Sequence, residues 1–216
     1  MRRRILGTIL FVIVGAVVGV LWFSPVFDVR DVRVFGTHFT TRAQIIAAAG
    51  IEVGEPIARV DVGAAAARVR AIPQVANVDV RRGFPHAIVI EVHERVAIAA
   101  ASNGDGTWSL VDRTGALFEQ VAAKPDTLTA VEGFTAEFRG IGARTAASFP
   151  AWLQRRVSVV RVAAPQDIVL SLRSGKQVVW GDEERAERKA QVLQALLHVR
   201  ASVYDVSAPD APATRR

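Results

Sequence analysis

Residues 5 to 23 carry no charge and stand directly behind Arg2, Arg3 and Arg4. As a helix with a rise of ~1.5 Å per residue, that run reaches roughly 28 Å, close to the ~30 Å hydrocarbon core of a bilayer. A helix satisfies every backbone group within the segment, which matters where lipid offers no partner. No lysine or arginine follows until Arg30, so the positive-inside rule keeps residues 1–4 cytoplasmic and carries the chain after Ser24 across. A cleaved signal peptide also starts with basic residues, but its apolar region is normally ~7–15 residues long and ends at a small-x-small site. Here the run leaves through Trp22, Phe23, Ser24 and Pro25, and such aromatic residues suit a membrane interface. The reading is therefore one uncleaved span. Gly15 and Gly19 within it have GxxxG spacing, which the abundance of glycine in membrane helices explains without a partner helix.

The rest of the chain is long enough for one large core or two small ones. It has no cysteine, so neither a disulfide framework nor a cysteine metal site exists, and packing alone must hold the fold. The formal charge of +6 comes almost wholly from arginine, the lysines being Lys124, Lys176 and Lys189. These basic residues are scattered in sequence and do not interleave with aromatics as they would along a nucleic-acid backbone. Generic surface charge, suited to anionic lipid or wall polymer, accounts for them.

Val29 to Phe35 reads as a strand ending at Gly36. Thr41 and Gln44 have capping-box spacing ahead of Ile45, Ile46 and Ala49, and Gly50 stops that helix. Asp61 offers an N-cap to a second helix through Val69. Val75 to Arg82 and Ala87 to Arg95 alternate as two strands, with Ile88, Ile90 and Val92 on one face. The order β-α-α-β-β predicts a three-stranded sheet covered on one face by two helices. Beyond Ala97, turns at Ser102–Thr107 and Asp112–Gly115 separate short strands. The sequence loosens around Gly140 and Gly142, and a helix is predicted over 144–156 with a break at Pro150. Strands follow at 157–162, 167–173 and 176–180. Asp182 is placed as the cap of a helix striped by Ala186, Ala190, Leu193, Leu196 and Leu197. Ser202 to Val206 reads as a closing strand at the sheet edge, and the tail behind it could extend the sheet.

Catalytic equipment is not legible. The histidines, His38, His86, His93 and His198, have no ligand spacing, and no GxSxG elbow exists. Gly104/Gly106 and Gly140/Gly142 form GxG pairs that do not continue into a phosphate loop. Glu91 and Glu94 lie three apart on a strand and point to opposite faces, which spoils them as an acid–base pair. Both read as exposed strand charges, and no cofactor or metal is expected.

Several phrases, in order, resemble one family. Val32-Arg33-Val34-Phe35-Gly36 opens the first module, residues 50–56 (GIEVGEP) with Val60-Asp61 join its helices, and Pro73-Gln74-Val75 leads to Val80-Arg81-Arg82-Gly83-Phe84-Pro85. Val92-His93-Glu94-Arg95-Val96-Ala97 closes it. Leu110-Val111-Asp112 with Gly115, Val178-Val179-Trp180-Gly181 with Lys189, and Tyr204-Asp205-Val206-Ser207-Ala208-Pro209 mark the remainder. With the basic start and the apolar run, this resembles the bacterial cell-division family FtsQ/DivIB. Residues 121–140 match nothing firmly. The resemblance implies an α+β chain with a cytoplasmic tail (1–4), a transmembrane helix (5–23), a POTRA (polypeptide-transport-associated) domain (24–97), a mixed β-rich domain with helices (98–206) and a C-terminal tail (207–216). It implies a non-enzymatic scaffold of the divisome in the inner (plasma) membrane at the septum, single-pass with its bulk extracytoplasmic, helping septal wall synthesis. FtsB-like and FtsL-like proteins would be its partners. Docking is expected at the C-terminal edge, on Trp180, Tyr204, Val206, Ala211, Ala213, Thr214 and Arg215. A membrane-anchored envelope enzyme, such as a cell-wall hydrolase, is the competing reading. A POTRA module feeding an outer-membrane barrel fails because no series of transmembrane strands follows.

Overall fold

The computed structural model describes residue 9, residues 11–13 and residues 27–216. The predicted span 5–23, including Gly15 and Gly19, lies almost wholly outside them. Among the described residues no helix is long and apolar enough to cross a membrane. The chain forms two compact units, one ending at Glu94 and one beginning at Arg95.

The first unit follows the β-α-α-β-β order: β1 (Asp31–Phe35), α1 (Arg42–Ala49), α2 (Val62–Arg70), β2 (Val75–Gly83) and β3 (Ala87–Glu94). The sheet order is β1-β3-β2, with β1 parallel and β2 antiparallel to the central β3. Ile88, Ile90 and Val92 are buried against Ile45, Ala65 and Val69 of the helices, so the predicted apolar face of β3 is the core face. Both predicted caps form. Thr41 accepts from Gln44 N while the Gln44 side chain accepts from Thr41 N, and Asp61 accepts from Ala64 N. Arg68 donates to Ala49 O, where α1 leaves an orphan carbonyl.

Glu94 departs from the exposed-charge reading. Its carboxylate accepts from the amides of His38, Phe39 and Thr40 and from the Thr40 hydroxyl, at 2.6–2.9 Å, fixing the loop between β1 and α1 to the end of β3. Burial alone would raise its pKa. The hydrogen bonds from the Thr40 hydroxyl and the three amides outweigh that and hold it at about 2.

The second unit contains β4 (Ala99–Ser102), β5 (Trp108–Val111), β6 (Leu117–Val121), β7 (Thr129–Gly133), α3 (Ala136–Ala147), α4 (Ala151–Gln154), β8 (Val157–Ala164), β9 (Asp167–Leu172), β10 (Gln177–Gly181), α5 (Ala186–Leu196), β11 (Val203–Asp205) and β12 (Ala213–Arg215). They make one nine-stranded sheet in the order β12-β11-β10-β9-β8-β7-β4-β5-β6. The pairs β4/β7, β7/β8 and β10/β11 are parallel. A parallel pair needs a crossover, and the chain supplies α3 with α4 between β7 and β8, and α5 between β10 and β11. The core lies between these helices and the sheet, with Leu153, Val160, Ile168, Leu170, Trp180, Leu193 and Tyr204 fully buried.

Two helix boundaries differ from expectation. α3 starts at Ala136, capped by the Thr135 hydroxyl on Phe138 N, well before residue 144. Gly140 and Gly142 are inside it, where their lack of a side chain lets the helix approach its neighbours. A Cβ on Gly140 would stand 2.9 Å from Thr114 O, and one on Gly115, whose φ is +82°, would stand 1.7 Å from Ala136 O. The break at Pro150 falls as predicted, Pro150 itself being the N-cap of α4. Asp182 does not cap α5. The helix begins after Arg185, which is left-handed (φ 51°) and makes no side-chain cap bond.

Two outcomes test the first unit. Ile90→Asp puts an unpaired charge in a fully buried site and should cost on the order of 4 kcal/mol. Cooperative melting of the full chain at an unchanged temperature would refute the face assignment. Glu94 has a folded pKa below its unfolded one, so its contribution is complete above about pH 4.5 and is lost as pH falls towards about 2. Glu94→Gln should lower stability near pH 7 by roughly 1–2 kcal/mol after allowance for solvent screening. It should also flatten the dependence of the denaturation midpoint between pH 5 and 2.

Candidate protein-docking edge

The strand at one end of the large sheet is β12, formed by the tail, and the Ser202–Val206 strand read as terminal lies one place inside it. β11 is interior, pairing in parallel with β10 (Val178↔Tyr204) and antiparallel with β12 (Tyr204↔Thr214). The chain leaves β11, turns through Ser207 to Pro212 and returns as β12. The unpaired row of backbone groups that a terminal strand presents is therefore on Ala213–Arg215, inside the segment read as a tail. The return is tied at both ends. Asp205 accepts from Ser207 N and Oγ, Arg185 pairs with Asp210 at 2.9 Å, and Ser202 N donates to Arg215 O at 2.9 Å.

The predicted contact residues divide into two groups. Ala211, Ala213, Thr214 and Arg215 are exposed, on the turn or on β12. Trp180, Tyr204 and Val206 are 0 % exposed, so they support the edge from beneath. Trp180 sits on the third strand in, its ring edge-on to Phe149 at 5.2 Å between centroids. The Tyr204 hydroxyl donates to Val199 O at 2.9 Å and accepts from Lys176 Nζ at 2.8 Å. This links β11 to the segment after α5 and to the start of β10. Val206 N donates to Val179 O.

An ion pair between a buried ammonium and a half-exposed carboxylate holds the crossover. Lys189 is 0 % exposed, and its ammonium donates to the Asp182 carboxylate and to Asp182 O, 5.9 Å from the Trp180 ring centre. The Lys189 ammonium keeps the Asp182 carboxyl below the usual carboxylate range. Lys189 stands in the sequence as one of three lysines and in a family phrase, and seven residues' separation from Asp182 gives no signal of the pair. Near the unit's first residue a second carboxylate, Asp112, is buried and pairs with Arg95 at 2.6 Å while accepting from Thr114 and Ala116. Burial would raise its pKa, but the hydrogen bonds from Thr114 and Arg95 hold it low. Among the described residues no group of three His, Asp or Glu side chains is placed to hold a metal ion.

Residues 27–95 match the family model of the FtsQ-type POTRA domain, and residues 99–207 match that of the C-terminal region of the cell division protein FtsQ/DivIB. The cell division protein FtsQ of Mycobacterium leprae is 34% identical over 220 residues, covering 99% of this chain, which spans 63% of that relative's length. FtsQ of Streptomyces venezuelae is 35% identical over 227 residues, covering 97% of this chain and 81% of the relative. Among solved structures, the major extracytoplasmic domain of DivIB from Geobacillus stearothermophilus matches 44% of this chain and 84% of its own, at 17% identity and a TM-score of 0.35. Two successive family models and relatives matched along almost the whole sequence place this chain in the FtsQ/DivIB family of bacterial cell division proteins.

Proposed function

We propose that this chain is a non-enzymatic scaffold of the divisome, anchored in the plasma membrane by residues 5–23 with its two units outside the cytoplasm. It binds FtsB-like and FtsL-like single-pass proteins and so helps to place septal wall synthesis. The observation that carries the docking part is the β12 edge. Its outer backbone groups have no strand partner among the described residues, and its side chains are exposed. An extended partner segment can add a tenth strand there, with main-chain hydrogen bonds giving affinity and alternate side chains giving selectivity. Ala211, Ala213, Thr214 and Arg215 would meet the partner, while Trp180, Tyr204 and Val206 keep the strand in place.

Truncation after Pro212 removes β12 and no buried side chain. The shortened chain should keep its melting temperature to within a few degrees and lose capture of the FtsB-like protein of its own host. Full capture by that folded variant would move docking elsewhere. Turnover of wall fragments by the pure chain would favour the hydrolase reading instead.

The anchor has its own measurement. A reporter active only outside the cytoplasm should work when fused behind Arg216, and the chain should stay in the membrane fraction with its N-terminus intact. Recovery of a soluble, N-terminally processed form would rule out the uncleaved span.

A further inference from the structure

Basic residues scattered in the sequence converge at one end of the large sheet. Arg155 and Arg156 precede β8, Arg173 follows β9, Lys176 precedes β10, and Arg215 ends β12. Backbone hydrogen bonds string these positions into a row. Arg173 N donates to Arg156 O and Leu172 N to Lys176 O, each at 2.8 Å, and Gln177 N to Ser202 O and Ser202 N to Arg215 O, each at 2.9 Å. With strands ~4.8 Å apart, the backbone positions of Arg156, Arg173 and Lys176 follow one another about every 5 Å, and Arg215 lies two strands beyond Lys176, β11 being skipped.

These cations are not neutralised by ion pairs among the described residues. Arg155, Arg156, Arg173 and Arg215 are exposed, and none of the five has an ion pair among the described residues. Elsewhere in the same unit Arg144, Arg161, Arg185 and Lys189 pair with Glu183, Glu132, Asp210 and Asp182. Lys176 is held in place by the Tyr204 hydroxyl and lies 5.2 Å from the Tyr204 ring centre. Two concavities open along the row. One of about 460 Å³ is bordered by Arg155, Arg156, Arg173 and Lys176. The other, of about 570 Å³, shares Arg155 and Arg173 and adds Thr127 and Thr129, with Asp126 the one carboxylate lining either.

We propose that this end of the sheet binds a linear, phosphate-bearing polyanion laid across the strand ends. Arg155, Arg156 and Arg173 grip phosphate oxygens through their planar forks, and Lys176 acts as a point charge. The row form selects a linear ligand over a single small anion. The recessed wells select against a flat lipid surface, which cannot enter them. This site shares Arg215 with the β12 docking reading, but Arg155, Arg156, Arg173 and Lys176 lie outside that reading, so it stands or falls without it.

The test uses the full chain in neutral detergent and fluorescently labelled inorganic polyphosphate, followed by anisotropy. Binding should weaken with salt, with a log–log slope of about −3 for four neutralised phosphates. The triple variant Arg155→Glu, Arg156→Glu, Arg173→Glu changes only exposed side chains. It should lose at least tenfold in affinity while keeping its melting temperature and its capture of the β12 partner. Arg188→Glu, outside the row, should bind as the parent does. Parental affinity in the folded triple variant overturns the proposal. So does equally tight binding of poly-glutamate of the same charge, which would reassign the surface to an acidic protein segment. Protection of the three arginines from phenylglyoxal by phosphatidylglycerol nanodiscs, but not by polyphosphate, would reassign it to lipid.

Discussion

The parallel pairing of β10 with β11 is the constraint on which the edge of the second unit depends. Two parallel strands cannot be joined by a tight turn, so the chain must leave β10, cross the sheet face as α5 and return beside its starting point. That path succeeds only if α5 is fixed against the sheet. Leu193 and Ala190 do this through the core, and Lys189 does it through the carboxylate and carbonyl of Asp182 immediately after β10. A buried ammonium is costly to dehydrate, and its partner offsets that cost only where the geometry is held. The pair therefore ties the start of the crossover to the end of β10. Tyr204 performs the matching task at the return, where its hydroxyl joins Val199, Lys176 and β11. Trp180 and Tyr204 are expected contact residues by their place on or near the closing strand, and the structure buries both beneath the edge.

An exposed edge strand is also a liability, because any unpaired chain can add to it. Here the exposure is limited. β12 has three residues, is preceded by Pro209 and Pro212, and ends on Arg215. A segment this short offers few main-chain bonds to a random partner, so stable capture needs matching side chains as well. Such selectivity suits the proposed docking of a matching extended segment.

Much of the first unit was legible in the sequence because local signals agree there with the global fold. Strand alternation, the Thr41–Gln44 box, Asp61 and Gly50 each name one boundary, and no long-range interaction overrules them. The failures have a common physical origin, in that a distant partner gives the residue its role. Gly140 and Gly142 look like a loop in isolation, and only the closeness of Thr114 and of the sheet explains glycine inside α3. Asp182 looks like a helix cap, but Lys189 and Glu184 N claim its carboxylate. Glu94 looks like a surface charge, and three amides from residues 38–40, more than fifty positions away, convert it into an anchor. The strand at the true edge, β12, has too few residues to show a period. It exists because β11 offers it a ladder.

The second unit thus presents two surfaces whose physics differs. Along the edge, the proposed recognition runs through backbone hydrogen bonds perpendicular to the strands, which salt screens weakly and which depend on register. Across the strand ends, it runs through exposed guanidinium and ammonium groups, whose reach shortens as the Debye length falls from ~10 Å at 0.1 M salt to ~3 Å at 1 M. Tyr204 and Lys176 lie where the two meet, joined by one hydrogen bond at 2.8 Å. An anion drawing Lys176 toward the strand ends would act on the hydroxyl that steadies β11, and through Tyr204↔Thr214 on β12. Any coupling between the surfaces must pass through that bond or through the shared Arg215. Raising the ionic strength should therefore silence the strand ends first and leave the edge working.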